Sequence, residues 1–221
     1  MIETNKIYNI DCIEGFKLIE SKSIDHVFTS PPYNRKRNDK YEHYNDSVDD
    51  YYEWICNVID ESIRVSKGFV FFNIMKNYYN KEDVFKIIGK YSKNIVEIII
   101  WEKTNPLPAS GNNITNAYEF FLIFGDTSLK SNNTYTKNIL STSVNSDHVK
   151  EHKAIMKQDV CEWFINNFTK ENELILDCFM GAGTTAITCK HNNRNYIGFE
   201  LNKQYVELSN QRLYKHLGLF F

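Results

Sequence analysis

A serine, two prolines and a tyrosine stand in a row at Ser30-Pro31-Pro32-Tyr33, directly after the apolar run His26-Val27-Phe28-Thr29. Each proline fixes φ near about −65° and removes an N–H donor. The carbonyls of Ser30 and Pro31 are then left without helix or ladder partners and can face a cleft. Ser30 adds a hydroxyl oxygen and Tyr33 a ring. Acceptors for two hydrogens beside a flat π-face suit a planar amino group. Asn34, Arg35, Lys36, Arg37 and Lys40 follow at once. The cations among them fit phosphates, with a solvated charged loop as the plainer alternative.

Far downstream, Leu174-Ile175-Leu176-Asp177 reads as a strand ending in an acid. Cys178-Phe179-Met180-Gly181-Ala182-Gly183 follows, and a helix opens at Thr184-Thr185. Glycines let a backbone approach a ligand closely, and a helix N-terminus aims amides at it. Glu200 ends the next strand, where an acid can accept hydrogen bonds from two ribose hydroxyls. No GK[ST] follows, so a P-loop is excluded. These residues alone leave a dinucleotide and another adenosine cofactor as alternatives.

Both stretches need strands to carry them. Strand-like runs are Ile7–Ile10, His26–Thr29, Phe69–Asn73, Ile95–Trp101, Tyr118–Phe124, Leu174–Asp177 and Tyr196–Phe199. Helical patterns fall at Asp49–Ser66, Lys81–Tyr91 (with Asn80 as N-cap), Asp159–Phe168, Thr184–Asn192 and Lys203–Leu217. Alternation of strand and helix predicts a mostly parallel sheet covered on both faces. Ile95–Trp101 and Tyr118–Phe124 are joined only by loop, which predicts an antiparallel pair. Too little chain follows Gly183 to build a sheet, so the upstream strands must complete it. Asn34–Asp49 and Gly125–Gln158 are polar and poorly periodic, and loops of that length are usually functional or disordered. No repeat and no domain boundary is visible.

Composition sets the limits. At 42% hydrophobic and 24% charged residues, a disordered chain is excluded. No run reaches the roughly 18–20 apolar residues of a membrane span, and no signal peptide is seen. The five cysteines are scattered with no CxxC pair, so a reducing cytoplasm is the expected compartment, without disulfide framework or zinc knuckle. No metal site is assigned; His148 and His152 lie far from carboxylate or cysteine partners in sequence. A net charge of −2 means that nucleic-acid binding must rest on a local patch.

Taken together, Thr29-Ser30-Pro31-Pro32-Tyr33 and the Asp177–Thr185 loop resemble the S-adenosylmethionine-dependent DNA amino-methyltransferases. Their order, tetrapeptide before cofactor loop, resembles the beta class. Trp101-Glu-Lys103-Thr-Asn105-Pro106-Leu-Pro108, Tyr118-Glu119 and His152-Lys153-Ala154 look like further family segments, with lysine where proline usually follows the histidine. Cys178 and Ala182 depart from the usual proline and serine, and both are small.

The resemblance implies a Rossmann-like α/β methyltransferase fold. Its sheet would be mostly parallel and seven-stranded, with an antiparallel pair, helices on both faces and permuted motif order. One catalytic domain would span residues 1–221. S-adenosylmethionine would meet Asp11, Cys12, Ser30, Asp177, Phe179, Gly181, Gly183, Thr184, Thr185, Glu200 and Asn202. Ser30 and Pro31 would accept the hydrogens of a base amine, with Pro32 setting the turn and Tyr33 stacking on the base. Asn34, Arg35, Lys36, Arg37 and Lys40 would hold DNA around a flipped nucleotide. Pro106–Asn116 and Gly125–Gln158 leave the only room for target recognition. Serine at the head of the tetrapeptide points to cytosine N(4) over adenine N(6). A homodimer or a cognate restriction endonuclease are the partners such enzymes suggest, besides DNA. Three rivals stand beside this reading. A dinucleotide oxidoreductase fits Gly181-x-Gly183-x-x-Ala186 but leaves Ser30–Tyr33 unexplained. A protein glutamine amide methyltransferase fits the tetrapeptide but not the basic loop. A silent DNA-binding subunit does not need an intact Ser30, Tyr33 and Gly183.

Overall fold

The structure is a computed structural model that describes residues 2–35, 48–106, 114–144, 155–216 and 218. In chain order the strands are β1 (Lys6–Asn9), β2 (His26–Thr29), β3 (Val70–Ile74), β4 (Ile95–Lys103), β5 (Tyr118–Phe124), β6 (Ile139–Thr142), β7 (Leu174–Asp177) and β8 (Asn195–Glu200). The helices are α1 (Cys12–Phe16), α2 (Tyr51–Val65), α3 (Lys81–Lys90), α4 (Gln158–Phe168), α5 (Thr184–His191) and α6 (Lys203–His216).

The strands form one sheet in the order β1-β8-β7-β2-β3-β5-β4-β6. All neighbours are parallel except those of β5, which runs against both β3 and β4. The predicted antiparallel pair is therefore β4–β5. Among the described residues the sheet has eight strands, not seven. The extra one, β6, lies inside the stretch read as loop, where Leu140 is buried but its neighbours are exposed or half-buried. A four-residue edge strand of this kind has too little apolar content to stand out in sequence.

Central strands are apolar because both their faces are covered. Every residue of β2 and β3 is buried. Side chains alternate between faces. Val27, Val70 and Phe72 meet Ile55 and Ile59 of α2 and Ile87 of α3. Phe28 and Phe71 meet Phe164 of α4, in the same core as Ile187 of α5 and Leu213 of α6. Among the described residues no helix is long and apolar enough to cross a membrane.

Two features decide where chemistry can occur. From β2 the chain moves through α2 to β3 on one side, and from β7 through α5 to β8 on the other. Such a reversal opens a crevice at the carboxyl ends of the strands. Because β5 is antiparallel, its first residues, Tyr118 and Glu119, lie at that same edge beside Lys103, the last residue of β4.

Candidate active site

Thr29 ends β2 and Asp177 ends the adjacent β7. The Thr29 hydroxyl donates to Asp177 Oδ1 at 2.9 Å, tying the two chemical stretches together at the crevice. Asp177 Oδ1 also accepts from the Phe179 amide at 3.0 Å, and Oδ2 accepts from the Thr185 hydroxyl at 2.6 Å. Burial pushes the Asp177 carboxyl up to about 6 despite these donors. Asp177 and Thr185 are satisfied from within the chain, so they shape the loop from beneath.

The loop is then turned by two glycines with positive φ, Gly181 at 52° and Gly183 at 81°. Helix α6 clamps it from outside. The Ser209 hydroxyl lies 2.6 Å from the Gly181 carbonyl, and the Arg212 guanidinium donates to the Ala182 carbonyl. A Cβ on Gly183 would sit 2.9 Å from Ser209 Cβ. Neither Ser209 nor Arg212 was legible in the sequence, because nothing near them marks which loop they meet.

Glu200, at the end of β8, is half-buried on the open side of this loop. Its Oε2 accepts from the Gly181 amide and its Oε1 from the Asn202 amide, each at 2.8 Å. Burial raises the Glu200 carboxyl above its ordinary value. Each carboxylate oxygen has two lone pairs, so acceptor capacity for a ligand remains. Asn202 caps α6, accepting from the Gln204 amide at 2.9 Å. Asp11 caps α1, with Oδ1 accepting from the Ile13 amide at 2.9 Å, and Ile10 donates to the Glu200 carbonyl at 3.1 Å. Phe179 is half-buried with its ring 5.5 Å from that of Trp54. Thr184 is buried, its hydroxyl 3.4 Å from the Met156 carbonyl. Acids on β8 and before α1, an aromatic ring and a close-turned glycine backbone suit a ligand carrying ribose and a base. Cys12 and Cys178 are buried beside them, and burial pushes the Cys12 thiol up to about 12 and Cys178 well up. Both stay protonated and are poor nucleophiles.

The tetrapeptide faces the same crevice. The Ser30 hydroxyl lies 2.8 Å from the Tyr33 hydroxyl and 2.9 Å from Asn73 Oδ1. The Tyr33 hydroxyl, with one proton to give, has two acceptors in reach, Asn73 Oδ1 and, at 3.0 Å, Glu119 Oε2. Lys103 Nζ completes the chain 2.5 Å from Glu119 Oε1. Burial, then the Glu119 charge, holds the Tyr33 hydroxyl well above its ordinary range, so it stays a donor. The Tyr33 carbonyl is held by the side-chain amides of Asn77 and Asn80 at 2.7 and 2.8 Å, and the Pro32 carbonyl by the Tyr51 hydroxyl at 3.1 Å. Asn80 stands at the predicted N-cap of α3, yet its side chain makes no cap bond and reaches back to Tyr33 instead. Among the described residues, no hydrogen bond reaches the Pro31 carbonyl. Asn73 and Glu119 did leave a signal, since each is a polar residue inside an otherwise apolar strand.

The basic stretch needs correction. Asn34 is buried with φ 50°, and its Oδ1 accepts from the Val48 amide at 3.2 Å. It builds the turn from a buried position. The Arg35 guanidinium lies over the Tyr33 ring, 5.6 Å from its centroid. Lys36, Arg37 and Lys40 lie outside the described residues, as do Pro108, His148 and His152-Lys153-Ala154.

Comparison with known proteins bears on the family and the fold. The chain is 27% identical to the Type II methyltransferase M.HinfI of Haemophilus influenzae over 95% of its length and 68% of that protein. It is 24% identical to the Type II methyltransferase M1.MboII of Moraxella bovis, over 95% of this chain and 96% of that one. Among solved structures, the PvuII DNA methyltransferase (cytosine-N4-specific) superposes with a TM-score of 0.78 at 19% identity, covering 96% of this chain and 90% of that one. The M1.HpyAVI–SAM complex superposes at 0.66 with 24% identity, covering 94% and 99%. A family model described as DNA methylase (N6_N4_Mtase) matches residues 24–211, from before β2 into α6, and the chain belongs to that family of DNA methyltransferases.

Proposed function

We propose that this DNA methyltransferase transfers a methyl group from S-adenosylmethionine to the exocyclic amine of a flipped-out cytosine, at N(4). The observation that carries the reading is that Ser30 Oγ and a Pro31 carbonyl reached by no hydrogen bond among the described residues directly follow Thr29, whose hydroxyl bonds Asp177 at the start of the glycine loop. An aromatic amine is a poor nucleophile because its lone pair is delocalised into the ring. Acceptors on both N–H groups localise that pair on nitrogen, and Ser30 and Pro31 supply them. Tyr33 holds the base by its ring. S-adenosylmethionine supplies, when bound, a methyl group on a sulfonium sulfur. Glu200 would accept from its ribose, Asp11 and Phe179 would flank it, and the turn of Gly181 and Gly183 would let it approach the backbone closely. In the proposed transfer the amine nitrogen would take that methyl as the donor's carbon–sulfur bond broke to a thioether, with Ser30 and Pro31 holding the amine and one amine proton passing to water.

Serine at the head of the tetrapeptide supports cytosine, as does the likeness to the PvuII enzyme, whose own target is cytosine N4. Residues 1–221 serve as one catalytic domain. Pro106–Asn116 and the part of Gly125–Gln158 beyond β6 are the candidate recognition segments, with Arg35, Lys36, Arg37 and Lys40 near the phosphates. The enzyme works on DNA in the cytoplasm, and a homodimer or a cognate endonuclease would fit the same role. Sequencing DNA from cells expressing the chain by a modification-sensitive method tests this directly. N(4)-methylcytosine at a defined site is expected. N(6)-methyladenine would overturn the base, and unmodified DNA from cells holding folded protein would overturn the function.

A further inference from the structure

We propose that Glu119, held by Lys103, is a positioning residue for methyl transfer, acting through the Tyr33 hydroxyl so that Ser30 offers lone pairs to the target amine. The inference rests on the function proposed above and adds two residues that touch neither base nor cofactor.

Burial poses the question. Glu119 is 4% exposed and Asn73 fully buried. A buried ion pair is weak support for a fold, and apolar residues of similar volume often serve as well. The pair is also aimed. Lys103 and Glu119 come from adjacent antiparallel strands, and the free oxygen of Glu119 points at Tyr33.

The direction of each proton follows from what Asn73 touches. Asn73 Nδ2 donates to the Phe120 carbonyl at 3.2 Å, so Oδ1 is the atom facing Ser30 and Tyr33. That oxygen only accepts. Ser30 and Tyr33 bring one proton each, and the acceptors behind them are Asn73 Oδ1 and Glu119 Oε2. Glu119 is the charged acceptor, and charge-assisted bonds are about twice as strong as neutral ones. The Tyr33 proton is drawn to that side. The Ser30 proton then turns to Asn73 or to the Tyr33 oxygen, and the Ser30 lone pairs remain for the amine. Without Glu119, the Tyr33 proton has Asn73 Oδ1, which the Ser30 proton also uses, or Ser30 Oγ itself to turn to. In the second case it occupies one of the two Ser30 lone pairs and competes with the amine hydrogen for that oxygen.

A double-mutant cycle separates this from a structural role. The pair is replaced together (Glu119→Leu with Lys103→Met) in the Tyr33 protein and in the Tyr33→Phe protein. Single-turnover transfer from labelled S-adenosylmethionine to genomic DNA of an unmethylated host is measured, with calorimetric cofactor affinity alongside. In the Tyr33 background we expect about a tenfold loss of rate, the scale of one misdirected hydrogen bond, at unchanged cofactor affinity. In the Tyr33→Phe background, where no hydroxyl proton needs direction, the same replacement should leave the rate unchanged. Equal losses in both backgrounds, or no loss in the first, would overturn the proposal. Should the paired replacement fail to fold, Glu119→Gln is run through the same cycle, with a smaller loss expected only when Tyr33 is present. If the unaltered protein moves no methyl to DNA, the failure belongs to the proposed function and not to Glu119.

Discussion

Asp177 illustrates how a residue can be found in the sequence while its partners within the chain stay hidden. Its place at a strand end before a glycine loop is legible. That Thr29, Thr185 and the Phe179 amide occupy its oxygens is not, because Thr29 joins it from far upstream. Asn34 shows the reverse, a polar residue in a basic stretch that the turn buries. Burial of Asp177 has a measurable cost. Its folded pKa of about 6 lies above the ordinary 3.8, so the folded chain binds this proton more readily than the unfolded one. Its contribution to stability is therefore greatest below the unfolded value and falls as pH rises through about 6. Asn cannot titrate. From pH 4 to pH 7 the stability of the natural protein relative to Asp177→Asn should fall by on the order of 2 kcal/mol. Urea unfolding of both across that range checks it, and a constant difference would refute it.

Elements were more legible than their contacts. Long periodic helices and apolar strands stand where their patterns put them, since burial on one or both faces writes itself into spacing. The five-residue α1 and the edge strand β6 are too short to do so. The glycine loop was recognisable from its own residues, whereas its clamp by α6 required the third dimension. That clamp makes Gly183 intolerant in two ways. Its φ of 81° strains any L side chain, at roughly 1–2 kcal/mol, and a Cβ would meet Ser209. Gly183→Ala should lower the melting temperature by several degrees and abolish calorimetric binding of S-adenosylmethionine. Gly89→Ala, in α3 with open space around the new Cβ, should instead gain about 0.5–1 kcal/mol. Equal behaviour of the two variants would mean that the loop is not held against α6.

The molecule as a whole places its polar business along one edge of a sheet whose middle is closed on both faces. Strands β2, β3 and β7 lie in that middle, whereas β6 stands at an edge with Ile139 exposed. Amide exchange followed by mass spectrometry should find β2, β3 and β7 opening only with global unfolding and β6 opening well below it. Uniform protection would contradict the sheet order. The opposite edge has a consequence for birth of the protein on the ribosome. Among the described strands β1 pairs with β8 alone, and Asn5 waits for Asn195, 190 residues later. At about 5–20 residues per second, the first strand emerges roughly ten to forty seconds before its mate exists. Asp11 and Glu200 are brought together by that same final pairing. A nascent chain therefore carries Ser30 and Tyr33 long before it can close the proposed cofactor site, and the proposed methyl transfer has to wait for the synthesis of β8.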